Sequence, residues 1–156
     1  MSSVPDIFVT SLRDHSVLLL VEVKLRSGVT DWNFNYLKTS MSRLRVPTGM
    51  LVTQEKILIL RDTFQDFSEA SIKQVEGELL TRNFPELQAF AVGKSRDPAA
   101  FELAVQEWLE NLQDNLRKGA YSGSALDPLL AEHILPLLLE GEVRVSGPRY
   151  QKHALG

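Results

Sequence analysis

The sequence predicts a mixed α/β (α+β) fold, a four- or five-stranded sheet flanked by helices with a helical C-terminal half. Three observations predict it. Four short runs of strand character lie between Ile7 and Asp62, each bounded by polar, Gly or Pro punctuation. A single stretch of helical period interrupts them over 31–45. Beyond Phe64 the period becomes helical almost throughout. A chain of 156 residues fits one domain. Its 44% hydrophobic and 24% charged residues are ordinary for a globular protein and exclude a disordered tail or a collagen-like repeat. It has no cysteine, so disulfides, thiolate zinc sites, iron–sulfur clusters and cysteine nucleophiles are excluded.

Taken in order, Ile7-Phe8-Val9-Thr10 and the longer run Val17–Leu25 flank the polar stretch Arg13-Asp14-His15-Ser16, and a hairpin is the simplest reading. Asp31 caps a helix running to about Arg45, with Trp32, Tyr36, Leu37, Met41 and Leu44 roughly at helical spacing. Pro47 and Gly49 end it. Met50-Leu51-Val52-Thr53 and Lys56–Asp62 then read as two further strands. Ser68 is expected to cap a helix through Leu80, with Ile72, Val75, Leu79 and Leu80 as its buried stripe. Pro98 opens a helix whose apolar face is Phe101, Val105, Trp108, Leu109, Leu112 and Leu116, and Gly119 closes it. Asp127-Pro128 starts another, broken near Pro136. Gly141–Ser146 suits a last short strand. The expected organisation is a β-β-α-β-β core over 1–64, a helical remainder over 65–146 packed on the same domain, and a flexible tail over 147–156.

Charge divides the chain. Residues 1–64 carry eight Lys/Arg and six Asp/Glu, whereas residues 65–156 carry nine and fourteen. Between 24 and 45, Lys24, Arg26, Lys38, Arg43 and Arg45 face only Asp31. Clustered cations of this kind are what phosphate neutralisation requires, and a solvated helix face is the plainer account of them. The start, Met1–Asp6, lacks the basic opening and apolar stretch of a signal peptide. No apolar run approaches the roughly 20 residues of a membrane span. A cytoplasmic protein without a membrane partner is expected.

The unusual residues are Glu22 and Lys24 in the otherwise apolar run Leu18–Lys24. Strand alternation puts both on one face, with Val21 and Val23 on the other. Charges at the end of a central strand are costly unless they are paired or functional. In a hairpin turning near residues 13–15, Asp6 lies across from residue 22. Two carboxylates and the Val23 carbonyl between the side chains suit a magnesium ion, and Lys24 can serve an attacking water. A structural salt bridge between Glu22 and Lys24 is the alternative.

Pro5-Asp6, fifteen intervening residues, then Glu22-Val23-Lys24 resembles the signature of the PD-(D/E)XK nuclease superfamily, the restriction-endonuclease-like fold. The hairpin, the following helix and the strand pair ending at Arg61-Asp62 resemble it too, over about residues 4–62. The resemblance implies a divalent-metal-dependent endonuclease hydrolysing phosphodiester bonds in DNA. It implies Asp6 and Glu22 as ligands of Mg²⁺ or Mn²⁺, with Val23 lending its carbonyl, and Lys24 as the catalytic lysine. Arg26, Lys38, Arg43 and Arg45 are the candidate nucleic-acid contacts. That superfamily usually places a helix and a strand ahead of the Pro-Asp position, and the helix often carries another acid. Only four residues precede Pro5 here. The chain is therefore expected to be a piece or to have a misassigned start, to fill those places with a later helix or with a partner such as a second copy in a homodimer, or to keep the fold as a non-catalytic module for protein interactions.

Other motifs give less. Asn33, Asn35 and Tyr36 lie on the helix after the motif and suit caps or solvent better than substrate. Gly93-Lys94-Ser95 ends like a phosphate-binding loop, but the required upstream glycine is Gln88. His15, His133 and His153 have no metal-ligand spacing.

Overall fold

The computed structural model describes residues 6–25, 31–66, 68–77, 79–119 and 127–146. Seven strands and five helices are found among them: β1 (Ile7–Ser11), β2 (Val17–Lys24), α1 (Asp31–Leu44), β3 (Thr48–Thr53), β4 (Lys56–Asp62), β5 (Ile72–Gln74), β6 (Leu79–Leu80), α2 (Gln88–Ala91), α3 (Pro98–Lys118), α4 (Pro128–His133), α5 (Leu135–Glu140) and β7 (Gly141–Val145). They build a mixed sheet of order β5-β4-β3-β2-β1-β7, with β6 also paired to β4. Only β2 and β3 run parallel among the described strands, because α1 is the crossover between them; every other pair is antiparallel.

Central strands covered on both sides read as nearly continuous hydrophobic runs. On one face Ile7, Val9, Leu19, Val21, Val23, Met50, Val52, Ile57 and Ile59 meet the helices that follow the sheet, through Phe101, Val105, Trp108 and Leu109 of α3. On the other, Leu20, Leu51 and Leu60 meet Leu37 and Met41 of α1. Residues of odd and even number on β2 thus belong to different cores, which fixes the register of the strand.

The helix ends follow their chemistry. Asp97 caps α3 by accepting the Ala99 N–H, Pro98 occupies its first turn, and Gly119 ends it at φ 65°. Asp127 caps α4 in the same way, and the break before Pro136 falls at Ile134.

The expected helix over 68–80 is not formed. Ser68 does cap, but it caps a single 3₁₀ turn, Glu69–Ser71, and the chain then enters β5 and β6. Gly77 at φ 101° is incompatible with a helix. Moreover, Ile72 packs in the α1-side core whereas Val75 and Leu79 pack in the opposite one, so no single helical face collects the stripe. The segment after residue 64 carries α2 to α5 and also supplies β5, β6 and β7 to the same sheet. The tail over 147–156 lies outside the described residues.

β7 closes the β1 edge, with Ile7 opposite Val145 and Ser11 opposite Gly141. Gly141 fits only as glycine, since a Cβ there would stand 2.5 Å from Val9 Cγ1 and 2.8 Å from the Thr10 carbonyl oxygen. Gly141→Ala is expected to lose about 1–3 kcal/mol, because backbone atoms cannot swing aside. Urea unfolding checks it; an unchanged midpoint would contradict this packing.

Candidate active site

Asp6, Glu22 and Lys24 are brought together. Glu22 and Lys24 have the even parity of Leu20, so both side chains stand on the α1 side of β2, while Val21 and Val23 enter the other core. Asp6 immediately precedes β1, and continuing the pairing of Ile7 with Val21 places it opposite Glu22. Its backbone is held by β7, since the Ser146 N–H donates to the Asp6 carbonyl at 3.1 Å. Its side chain is held by β2: the Val23 N–H donates to Asp6 Oδ2 at 2.8 Å. The carboxylate thus extends the ladder where the β1 backbone has ended. In an antiparallel pair the N–H and C=O of a residue point to the same neighbour, so the Val23 carbonyl also faces the Asp6 side.

The group is buried. Asp6 is 6% exposed and Glu22 3%. Lys24 Nζ lies 3.6 Å from Glu22 Oε1 with its side chain 34% exposed, so the ammonium joins the buried acid to solvent. Glu22 Oε2 is buried and has no hydrogen-bond partner among the described residues. Burial pushes the Glu22 carboxyl up to about 8, the hydrogen bond with Asp6 and the charge of Asp6 push the same way, and Lys24 offsets them in part. Burial also pushes Asp6 up, but its hydrogen bonds with Glu102, Glu22 and the Val23 N–H, together with the Lys24 charge, outweigh burial and hold it below its ordinary value. Hydrogen-bonded carboxyls share a proton between them. Within the pair, burial and the Asp6 charge push Glu22 toward keeping its proton, while the hydrogen bonds on Asp6 favour its charged form.

Glu102 is the residue that sequence reasoning missed. It lies on α3, is 5% exposed, and its carboxyl hydrogen-bonds Asp6. The signal was present: Glu102 stands three and seven residues before Val105 and Leu109, a charged residue in line with the apolar face of the helix. Tyr36 on α1 borders the site; burial and the nearby Glu22 and Asp6 charges raise its phenol, while Arg43 and Ser40 oppose them. Asn33 is buried and Asn35 exposed on the same helix.

Among the described residues, the predicted phosphate contacts Lys38, Arg43 and Arg45 are not gathered at this site. Arg26 lies outside the described residues. Lys38 is half-buried with its ammonium 5.7 Å over the Phe34 ring. Arg43 and Arg45 occupy the far end of α1 and line a cavity of about 390 Å³ together with Asp62 and Asp66. That end abuts the start of β3, level with Leu19 on β2, roughly 10 Å along the strand from Glu22 at about 3.3 Å per residue. A parallel crossover forces this separation, because α1 must carry the chain back from one end of the sheet to the other.

Among the described residues no three His, Asp or Glu side chains stand in a ready metal-holding arrangement. The carboxyls of Asp6, Glu22 and Glu102 are instead joined to one another through Asp6. None of the described helices is long and apolar enough to cross a membrane. No protein-family model, curated protein or solved structure matches the chain.

Proposed function

We propose that this protein is a divalent-metal-dependent endonuclease of the PD-(D/E)XK type, hydrolysing phosphodiester bonds in DNA with Asp6, Glu22 and Lys24. The observation that carries the reading is the burial of two acids beside an ammonium at the matched ends of β1 and β2, with one carboxylate oxygen of Glu22 left without a partner among the described residues. A lone structural salt bridge accounts for Lys24 and Glu22 but leaves Asp6, Glu102 and that oxygen unexplained. The donors fit Mg²⁺ or Mn²⁺, which take carboxylate and carbonyl oxygens. Asp6, Glu22 and the Val23 carbonyl would hold the ion. When bound it lowers the pKa of water and neutralises charge on the scissile phosphate.

The chain's own residues do the rest. Asp6 is fixed by the Val23 N–H and needs no reorganisation. Glu22 must give up its proton, and Lys24 beside it favours the charged form. The Lys24 ammonium, partly solvent-exposed, orients the attacking water and stabilises developing negative charge on the phosphate. β7 beside β1 and Glu102 on α3 beside Asp6 are a strand and an acid-bearing helix from later in the chain, the kind of elements the superfamily usually keeps ahead of the Pro-Asp position, and they support the reading.

Plasmid nicking in Mg²⁺ or Mn²⁺ tests the proposal. Glu102→Ala is expected to raise the Mg²⁺ concentration for half-maximal cleavage by about 10–100-fold, the usual cost of losing a group that orients a ligand. Its activity at saturating metal should change far less. The second reading, a non-catalytic interaction module, is favoured by the way the acids hydrogen-bond each other. Absence of both cleavage and calorimetric metal binding would make it the better reading.

A further inference from the structure

We infer that the segment from Arg82 to Arg96 is the surface that holds the DNA backbone at the mouth of this site, with Arg82, Lys94 and Arg96 as its phosphate contacts. The inference rests on the proposed nuclease reading for its partner and on separate observations for its location. A cavity of about 340 Å³ is lined by Leu25, Gln54, Ser95 and Arg96. It lies at the carboxylate end of the sheet, because Leu25 follows Lys24 and Gln54 follows Thr53, the residue paired with Lys24. A second, open cavity of about 570 Å³ is lined by Arg82, Asn83, Gln88 and Lys94, among others. The two adjoin in sequence at Lys94–Ser95 and are taken together as one basic, polar track on the α3 side of the sheet end, the side from which Glu102 reaches Asp6.

Among the described residues no carboxylate lines either cavity. The nearest acids in sequence are largely engaged elsewhere. Asp97 accepts the Ala99 N–H at 3.0 Å and Glu86 accepts from Asn111 Nδ2 at 2.9 Å. Glu55 is exposed on the β3–β4 turn and lines neither cavity. By contrast, Arg43 and Arg45 share their cavity with Asp62 and Asp66, which cancels much of their attraction for phosphate. Arg82, Lys94 and Arg96 are all exposed.

The track is also well held. The Lys94 and Ser95 N–H groups both donate to the Ala89 carbonyl, at 2.8 and 3.2 Å. Gly93 turns the chain at φ 79°. Phe90, one residue beyond Ala89, is anchored against Phe101 with ring centroids 5.0 Å apart. Phe101 directly precedes Glu102, so the segment that carries the cations packs against the start of the helix that carries the third acid. The Gly93-Lys94-Ser95 sequence is therefore read as a phosphate contact of a polynucleotide backbone and not as part of a nucleotide-binding loop.

The test is anisotropy of a fluorescein-labelled 20-base-pair duplex, and of the matching single strand, titrated with the full chain in EDTA over a series of salt concentrations. The Arg82→Ala/Lys94→Ala/Arg96→Ala triple variant should bind about 30-fold or more weakly at low salt. The slope of log K against log salt should become shallower by about 2–3, close to 0.9 for each phosphate that the variant no longer neutralises. A Lys73→Ala/Lys118→Ala variant controls for the general loss of charge and should change affinity by less than about threefold. Wild-type affinity and slope in the triple variant overturn the inference. So does a larger loss in Arg43→Ala/Arg45→Ala, or failure of the wild type to bind either DNA. Plasmid nicking in Mg²⁺ separates the two claims. Binding that depends on the triple without cleavage removes the catalytic reading and keeps the surface; cleavage and binding unaffected by the triple keep the chemistry and remove the surface.

Discussion

Replacing Lys24 with alanine is expected to reduce Mg²⁺-dependent plasmid cleavage by about 10³-fold or more while leaving the protein folded. The size follows from what the side chain does. The Lys24 ammonium stands 3.6 Å from Glu22, against the buried acids and open to solvent on its other side. A preorganised charge aimed at developing oxyanion character is worth about 10²–10³ in rate in a water-excluded site. The same ammonium also favours the ionised form of Glu22, so its loss acts twice. The fold should tolerate the change, because the side chain is one-third exposed and its aliphatic stem lies at a strand end. Lys24→Arg should recover little, since a planar guanidinium cannot reproduce a compact point charge. Initial nicking rates provide the readout, with circular dichroism and thermal unfolding reporting fold. Full cleavage by the alanine variant would show that the chemistry lies elsewhere.

The parts of this site that were legible in the sequence are those fixed by local geometry. Alternation along Val17–Lys24 puts Glu22 and Lys24 on one face, and the odd and even residues of β2 do enter different cores. A short polar turn implies the hairpin, and the hairpin carries Asp6 across to Glu22. Pro98, Gly119 and Asp127 act within one helical turn, and the helix ends fall where they indicate. What was not legible depends on residues distant in sequence. Glu102 meets Asp6 across 96 residues, and β7 pairs with β1 across 130 or more. Over 68–80 the apolar spacing fits a helix, yet the strand edge of β4 recruits Ile72 to one face and the next apolar residues to the other. Arg43 and Arg45 belong to the same basic stretch as Lys24 by composition, but a parallel crossover moves them to the opposite end of the sheet. Composition counts charges without regard to that path.

Wild-type stability is expected to fall as pH rises from about 5 to 8, and Glu22→Gln to remove most of that fall. Glu22 has an ordinary value of 4.5 and is pushed up to about 8 in the folded chain, first by burial and then by Asp6. Between those values the folded protein keeps a proton that the unfolded chain has released. Stability therefore declines with rising pH through that window and levels off above 8. One such group changes stability by up to about 1.4 kcal/mol per pH unit, so roughly 3 kcal/mol over pH 5–8 is the scale. Asp6 acts with the opposite sign. Its folded value is below the ordinary 3.8, so its contribution is present above that pH and is lost only as pH falls further. The two windows do not overlap, which lets the Glu22 effect be read alone. Glutamine keeps the shape and can donate to Asp6 without ionising, so urea midpoints of wild type and variant should agree near pH 5 and diverge by pH 8, with the variant the more stable. Parallel profiles would show that Glu22 is not held protonated. The same linkage predicts that Mg²⁺ stabilises the wild type far more at pH 8 than at pH 6, because a ligand carboxyl must lose its proton to bind. Glu22→Gln should show little of this gain. A gain equal at both pH values would place metal binding, where it occurs, away from Glu22.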